Sequence, residues 1–252
     1  MSGHSKWATI KRKKAATDAA RGKAFTKYIK EITIAARTGG GDPNGNPRLR
    51  LAIQNAKSNN MPADNITRAI KKGTGELEGV HYEEIVYEGY GPGGVALLIE
   101  SVTDNRNRTV SEIRHLMGRN GGNLAESGAV IWNFERKGVI TVPKGNFSED
   151  DILNVILDAG ADDLIQEEEF FDITTSHDNL EKVRKALEAS GLPGLKVEKA
   201  SLQFIAKTTM RVEGKEAEQT LRLISALEDH DDVQNVFTNA DIDEKVMVSF
   251  SG

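Results

Sequence analysis

Apolar positions recur at helical spacing through the first third of the chain. Phe25, Tyr28, Ile29, Ile32 and Ala36 fall at i, i+3, i+4, i+7 and i+11. This spacing predicts one buried stripe on a helix beginning near Phe25, with Lys23, Lys27 and Lys30 elsewhere on the cylinder. The run Gly39-Gly40-Gly41-Asp42-Pro43 ends it, and Asn46-Pro47 supplies an N-cap followed by a first-turn proline. A second helix follows with Leu49, Ala52, Ile53 and Ala56 inward. After a turn at Ser58 to Pro62 comes a third, with Ala63, Ile66, Ala69 and Ile70 inward, Arg68, Lys71 and Lys72 outward, and Gly73 closing it. Residues 1 to about 22 hold Trp7 and Ile10 among alanines, serines and lysines. That is too little apolar surface to offset ordering entropy, so an arm that orders on a partner is expected.

Beyond a polar linker the period changes. Glu84–Glu88 and Val95–Val102 are expected strands about the glycine-rich connection Gly89–Gly94, followed by a helix near Asn107–Met117 and a strand at Ala129–Glu135. From Gly138 the order is strand Val139–Val142, helix from Ser148, strands Asp163–Gln166 and Phe170–Thr175, helix Asn179–Ala189 and strand Val197–Ile205. This is the βαββαβ order of a ferredoxin-like unit. Strand Thr208–Val212, helix Lys215–Glu228 and strand Val233–Thr238 form a βαβ half that cannot bury a sheet alone. Segment 83–136 is likewise incomplete, so the two are expected to share one sheet into which 138–205 is inserted. The fold class is α+β, with expected domains at 1–78, at 79–136 plus 206–240, and at 137–205.

Of 252 residues 38% are hydrophobic, 28% charged and none cysteine. Disulfides, thiolate metal sites and cysteine nucleophiles are thereby excluded. No apolar run approaches the ~20 residues of a membrane span, and no apolar stretch follows the basic start, so a cytoplasmic protein is expected. The net charge of −5 conceals a segregation. Residues 1–73 carry sixteen Lys and Arg against four acids, a net of +12, and residues 74–252 carry a net of −17. A basic module of this kind points to a polyanion, and acidic domains beside it to protein contacts.

The candidate nucleic-acid site is therefore Lys6, Trp7, Lys11, Arg12, Lys13, Lys14, Arg21, Lys23 and Lys27, together with Arg68, Lys71 and Lys72 of the third helix. Cations neutralise phosphates and release counterions. An exposed Trp7 would stack on an unpaired base; docked on the bundle, it would be a core cap instead. Helix, turn and basic helix are compatible with a helix-turn-helix, and equally with a plain three-helix bundle. Arg106 and Arg108, within Asp104-Asn105-Arg106-Asn107-Arg108-Thr109, form a second candidate for an anion or partner. Arginines at a helix N-terminus oppose its dipole unless an anion compensates, whereas Asp and Asn there act as caps.

Other chemistry finds little support. Gly89-x-Gly91-x-x-Gly94 formally matches a dinucleotide fingerprint, but a β-type run follows it where a helix N-terminus is needed. The acidic stretches Glu167–Glu169 and Glu228–Asp232 lack calcium-loop spacing, and no two histidines have zinc spacing. Ser2-Gly3-His4 could hold Cu²⁺ or Ni²⁺ only with a free amine at Ser2. No metal, no cofactor and no catalytic activity are expected.

These motifs together resemble the YebC/PmpR family. The resemblance rests on Gly3-His4-Ser5-Lys6-Trp7, Arg21-Gly22-Lys23-x-Phe25, Gly40-x-Asp42-Pro43-x-x-Asn46-Pro47-Arg48-Leu49-Arg50, Asn60-Met61-Pro62, Tyr87 to Gly94, Thr103 to Thr109 and Asp231-Asp232-Val233-Gln234. It implies a three-domain, cytoplasmic, non-enzymatic protein. Members are described as DNA-binding transcriptional regulators, and in another view as ribosome-associated translation factors that relieve stalled elongation. Mitochondrial relatives activate translation of cytochrome oxidase. The expected partner is DNA or ribosomal RNA, with ribosome or other protein contacts through the acidic domains and no membrane. A protein-binding scaffold is the third reading.

Overall fold

The computed structural model describes Trp7, residues 18–167 and residues 169–251. The chain divides into two compact units, one from the described residues of Met1–Ile34, Leu77–Glu135 and Phe204–Gly252, the other from Ala35–Glu76 and Arg136–Gln203.

Helix α1 spans Asp18–Gly39, α2 Pro47–Ser58 and α3 Ala63–Thr74. The first begins seven residues before the expected Phe25. Ala19, Ala20 and Ala24 favour the extension, as do the bonds that Lys23 and Lys27 make within their own unit. Asn46 caps α2 as expected, its side chain accepting from Leu49 N at 3.0 Å. Its amide also donates to Ala35 O at 2.7 Å and Gly40 O at 2.8 Å. A Cβ at Gly39 would lie 2.7 Å from that amide, so the absence of a side chain at Gly39 makes room for the cap. Helix α3 runs one residue past Gly73, which is buried, and Gly75 takes the left-handed capping conformation at φ 82°.

In the second unit, β4 (Phe134–Pro143), β5 (Ala161–Gln166), β6 (Phe170–Thr175) and β7 (Lys199–Ala206) line up as β5-β6-β4-β7. With α5 (Glu149–Ile156) and α6 (Leu180–Ala189) between them, this is the ferredoxin-like order. Ser148 and Asp151 close a capping box at the start of α5. Ile140, Val142, Phe171 and Ile173 of the sheet pack with Ile152 and Ile156 of α5 and Leu180, Val183 and Leu187 of α6. Each such burial contributes about 1.5–3 kcal/mol. Leu51 of α2 packs against the same core, Asn55 donates to Ala200 O at 3.0 Å, and Arg50 lies 3.5 Å from Glu181. Helices α2 and α3 thus group with the inserted sheet.

In the first unit, β1 (Glu83–Tyr90), β2 (Ala96–Thr103), β3 (Asn123–Leu124) and β9 (Val233–Thr238) form an antiparallel sheet ordered β3-β1-β2-β9. Two chain segments more than a hundred residues apart therefore complete one sheet. Helices α4 (Arg106–Arg119) and α7 (Gly214–Glu228) contribute Ile113, Met117, Leu221 and Ile224 to the core against Leu97, Ile99 and Val236. Gly89 must be glycine, because a Cβ there would sit 2.6 Å from Asn123 O.

Two expected strands are corrected. Residues 131–133 form a 3-10 turn, and the strand begins only at Phe134. The apolar run before it serves two purposes: Val130 is buried, while Ile131 and Trp132 are exposed. The segment near Thr208 shortens to β8 (Met210–Val212), which pairs in parallel with β10 (Ala240–Ile242) outside the four-stranded sheet. Helix α8 (Glu244–Ser251) follows and buries Met247. The acids Asp241, Asp243 and Glu244 had masked this last apolar stretch.

Candidate functional site

Three of the cations proposed to meet phosphate, Arg21, Lys23 and Lys27, lie in α1, and the two whose side chains are described point to the end of α7. Lys23 donates to Asp229 O at 3.3 Å and Lys27 to Glu228 O at 3.0 Å. Lys30, only 5% exposed, donates to Val102 O at 3.1 Å, Asp231 O at 2.8 Å and Asp232 Oδ1 at 2.7 Å. Three lysines on one helix face thus satisfy the free carbonyls at and beyond a helix C-terminus, where positive charge is favoured.

Asp232 is the hub. Its Oδ2 accepts from Arg108 at 2.8 Å, Thr109 at 2.7 Å and Thr103 at 3.2 Å, while Oδ1 takes Lys30. Burial pushes its pKa up, but the hydrogen bonds from Lys30, Arg108 and Thr109 and the Lys30 charge outweigh it and hold the carboxyl well below the usual range. The bond to Asp232, then that to Asp104, raises Arg108 further above its ordinary value. His230 Nδ1 accepts from Asp232 N at 3.1 Å, so the network assigns the ring proton to Nε2, which donates to Glu112 at 2.8 Å. A groove of about 1020 Å³ opens beside these groups, lined among others by Tyr82, Ser111, His115 and Asp229.

Because its pKa is depressed on folding, Asp232 stabilises fully above pH about 4, the ordinary aspartate range, and loses that stabilisation as pH falls toward its folded value. Acid titration of the urea midpoint should show this, with Asp232→Asn flattening the slope below pH about 4 by about one proton. An unchanged slope would contradict the network.

The sequence-predicted residues separate accordingly. Lys6, Lys11, Arg12, Lys13 and Lys14 lie outside the described residues, as does Ser2-Gly3-His4, and the side chain of Arg21 is not described. Trp7 is corrected as an exposed stacking ring. It is 4% exposed, with its ring 5.8 Å from that of Phe250 and its Nε1 3.4 Å from Glu228 Oε2. Nor does it cap the bundle, since it joins the core of α7 and β9. Lys27 is corrected as a free phosphate ligand, its ammonium group being engaged with the Glu228 carbonyl, whereas Lys23 stays exposed beside its 3.3 Å bond. Arg108 is corrected likewise, because Asp104 and Asp232 supply the anion its position needs. Arg106 is exposed at the same helix start, and Asn105 caps that helix through Arg108 N at 3.1 Å. Arg68, Lys71 and Lys72 stand together on the exposed face of α3 and form no ion pair among the described residues.

Glu112, His230 and Asp232 bring one potential ligand atom each within 4.8 Å of one another. The charge balance there opposes a further cation, since Lys30 and Arg108 already hold the Asp232 carboxylate. The Gly89–Gly94 segment carries a 3-10 turn at Pro92–Gly94 before β2, with no helix N-terminus for a pyrophosphate.

Sequence reasoning missed three residues. Lys30 and Asp232 looked like solvated charges, and only Asp232's place beside the apolar Val233–Val236 hinted at burial. Glu88 is buried between strand neighbours and accepts from the backbone N–H groups of Gly128 (2.7 Å), Val130 (2.7 Å) and Ile131 (2.9 Å). Burial raises its pKa, and those three bonds reverse the shift to a lowered value. A signal existed: Glu88 shares a strand face with Val86 and Tyr90.

Basic helices before two antiparallel sheets, one inserted into the other, define an α+β architecture shared with known proteins. The TACO1/YebC protein N-terminal domain matches residues 5–76, and the TACO1/YebC second and third domain matches residues 82–240. The chain belongs to the TACO1/YebC family. Similar relatives named probable transcriptional regulatory proteins include one from Chlorobaculum tepidum, 59% identical over 98% of both chains, and one from Chlorobium phaeobacteroides, 57% identical over the whole of both. The crystal structure of a conserved hypothetical protein from Aquifex aeolicus is similar with a TM-score of 0.83 and 48% identity. That match covers 90% of this chain and 92% of the other. Among the described residues no helix is long and apolar enough to cross a membrane.

Proposed function

We propose that this protein is a non-enzymatic regulator that binds duplex DNA through its N-terminal basic segment. The observation that carries this reading is the net charge of +12 over residues 1–73. In the described structure this charge leaves Arg68, Lys71 and Lys72 exposed on one face of α3, at i, i+3 and i+4. The relatives' name, probable transcriptional regulatory protein, agrees with it. Helices α2 and α3 are joined by a four-residue turn, Asn59 to Pro62, in which Asn60 has φ 59° and Met61 is buried. This connection suits a helix-turn-helix, whose second helix would lie in the major groove. The feature that pointed toward unpaired bases was an exposed Trp7, and Trp7 is buried. Acidic segments beyond residue 74 limit nonspecific adhesion by repelling phosphate.

The test is a salt titration of affinity on duplex DNA and on single-stranded RNA of equal length. Neutralising six phosphates predicts a log–log slope near about −5 on the duplex. Flat slopes on both polymers would favour a protein scaffold, and tighter binding to the single strand would favour the translational reading.

A further inference from the structure

Residues 126–133 form a loop that is fastened at both ends and left bare at its tip. On the N-terminal side, the buried Glu88 carboxylate takes the three N–H groups of Gly128, Val130 and Ile131. On the C-terminal side, Asn133 donates to Thr208 O at 3.0 Å and accepts from Thr208 N at 3.1 Å, and its carbonyl takes Lys207 N at 2.7 Å. Val130 and Phe134 on either side are buried with Leu98 and Phe237. Between these anchors Trp132 stands 68% exposed, with Ile131 exposed beside it. The indole N–H is satisfied internally by Ala129 O at 2.9 Å, and Tyr90 Oη donates to the same carbonyl at 3.3 Å.

Nine large hydrophobic side chains are exposed among the described residues; of these, Val86 and Tyr90 share the strand face of Glu88, and Ile131 and Trp132 stand on the loop that Glu88 holds. A buried carboxylate and a buried asparagine therefore hold apolar side chains in water. An aromatic anchor fixed in advance loses little entropy on binding, which is the character of an interface hot spot. Both aromatic polar groups turn back to the loop, and the Trp132 carbonyl is taken by the Lys207 ammonium at 3.0 Å.

We infer that Trp132, with Ile131, Tyr90 and Val86, is the docking surface for a basic protein that receives the indole in an apolar pocket. Charge selects the occupant. The two segments that build the sheet and loop of this unit (residues 77–135 and 204–252) carry nineteen Asp and Glu against nine Lys and Arg, a net of −10. Glu126 lies exposed on the loop's own flank. Such a field repels nucleic acid and attracts a cationic surface, while the indole supplies the contact that holds it. This surface shares no residue with the exposed face of α3, so the inference stands apart from the proposed DNA contact.

The experiment installs the photo-crosslinking residue p-benzoylphenylalanine at Ile131 in the full chain, irradiates living cells and identifies the adducts by mass spectrometry. The expected adduct is a net-basic protein. With that protein purified, Trp132→Ala should weaken binding at least tenfold, Trp132→Phe should retain most of it, and raising salt should weaken it further. Trp132→Ala should leave the melting temperature and duplex-DNA affinity unchanged, and Arg68→Ala/Lys71→Ala/Lys72→Ala should leave the adduct in place. Adducts to nucleic acid, to a second copy of the chain, to its own residues 1–17, to an acidic protein, or to nothing would each overturn the inference. So would a purified pair whose affinity is unaffected by Trp132→Ala.

Discussion

Asp232→Asn is expected to cost about 3–5 kcal/mol of folding stability, the range for removing one partner of a buried ion pair. The substitution keeps the shape of the side chain and deletes its charge. Lys30 then remains an ammonium in a buried site, held by the carbonyls of Val102 and Asp231 and the face of the Tyr82 ring without a counter-charge. Arg108 keeps Asp104, so the penalty falls chiefly on Lys30. Urea unfolding measures the loss, and the double variant Lys30→Met/Asp232→Asn should recover much of it by removing the orphaned charge. If Asp232→Asn is as stable as the parent, or if Lys30→Met adds to the damage, the two residues do not form the pair described here.

Arg68→Ala/Lys71→Ala/Lys72→Ala should produce the largest functional effect available from the described residues. Each cation that meets a phosphate contributes about 0.9 to the salt slope, so the triple variant should be shallower by about 2.7 and bind DNA about ten- to a hundredfold more weakly at physiological salt. The loss should be similar across sequences, because phosphate contacts carry no base information. Stability should change by no more than about 0.5 kcal/mol, since the three side chains are exposed and form no ion pairs among the described residues. Fluorescence anisotropy with several unrelated duplexes measures the affinity. An unaltered slope would remove α3 from the interface and leave the arm to carry it, whereas a loss confined to one sequence would make α3 a reader of bases.

How legible the site was depended on whether a charge's partner lay nearby in sequence. The Asn46 cap and the Ser148–Asp151 box were readable because capping is completed within one helical turn. Lys23, Lys27 and Lys30 show the opposite case. Their place off the apolar stripe of α1 was evident, yet their partners lie some two hundred residues away at the end of α7. Local pattern distinguishes buried apolar from exposed polar, and it has no term for a cation matched to a distant carbonyl. Trp7 failed for a similar reason: a lone aromatic among cations resembles a stacking arm until the core that receives it, including Phe250, is assembled.

The amino-acid order alone determined the alternation of helix and strand, the ferredoxin-like unit and its insertion between two halves of another sheet, and the separation of charge along the chain. Each follows from hydrophobic period, capping residues or simple counting, which act over a few residues or over the whole chain at once. Only the tertiary structure decided which charges remain available. It withdrew Lys27, Lys30 and Arg108 into internal bonds, buried Trp7 and exposed Trp132. These outcomes depend on which distant groups come within about 3 Å of one another, the range over which a hydrogen bond forms and burial sets its strength.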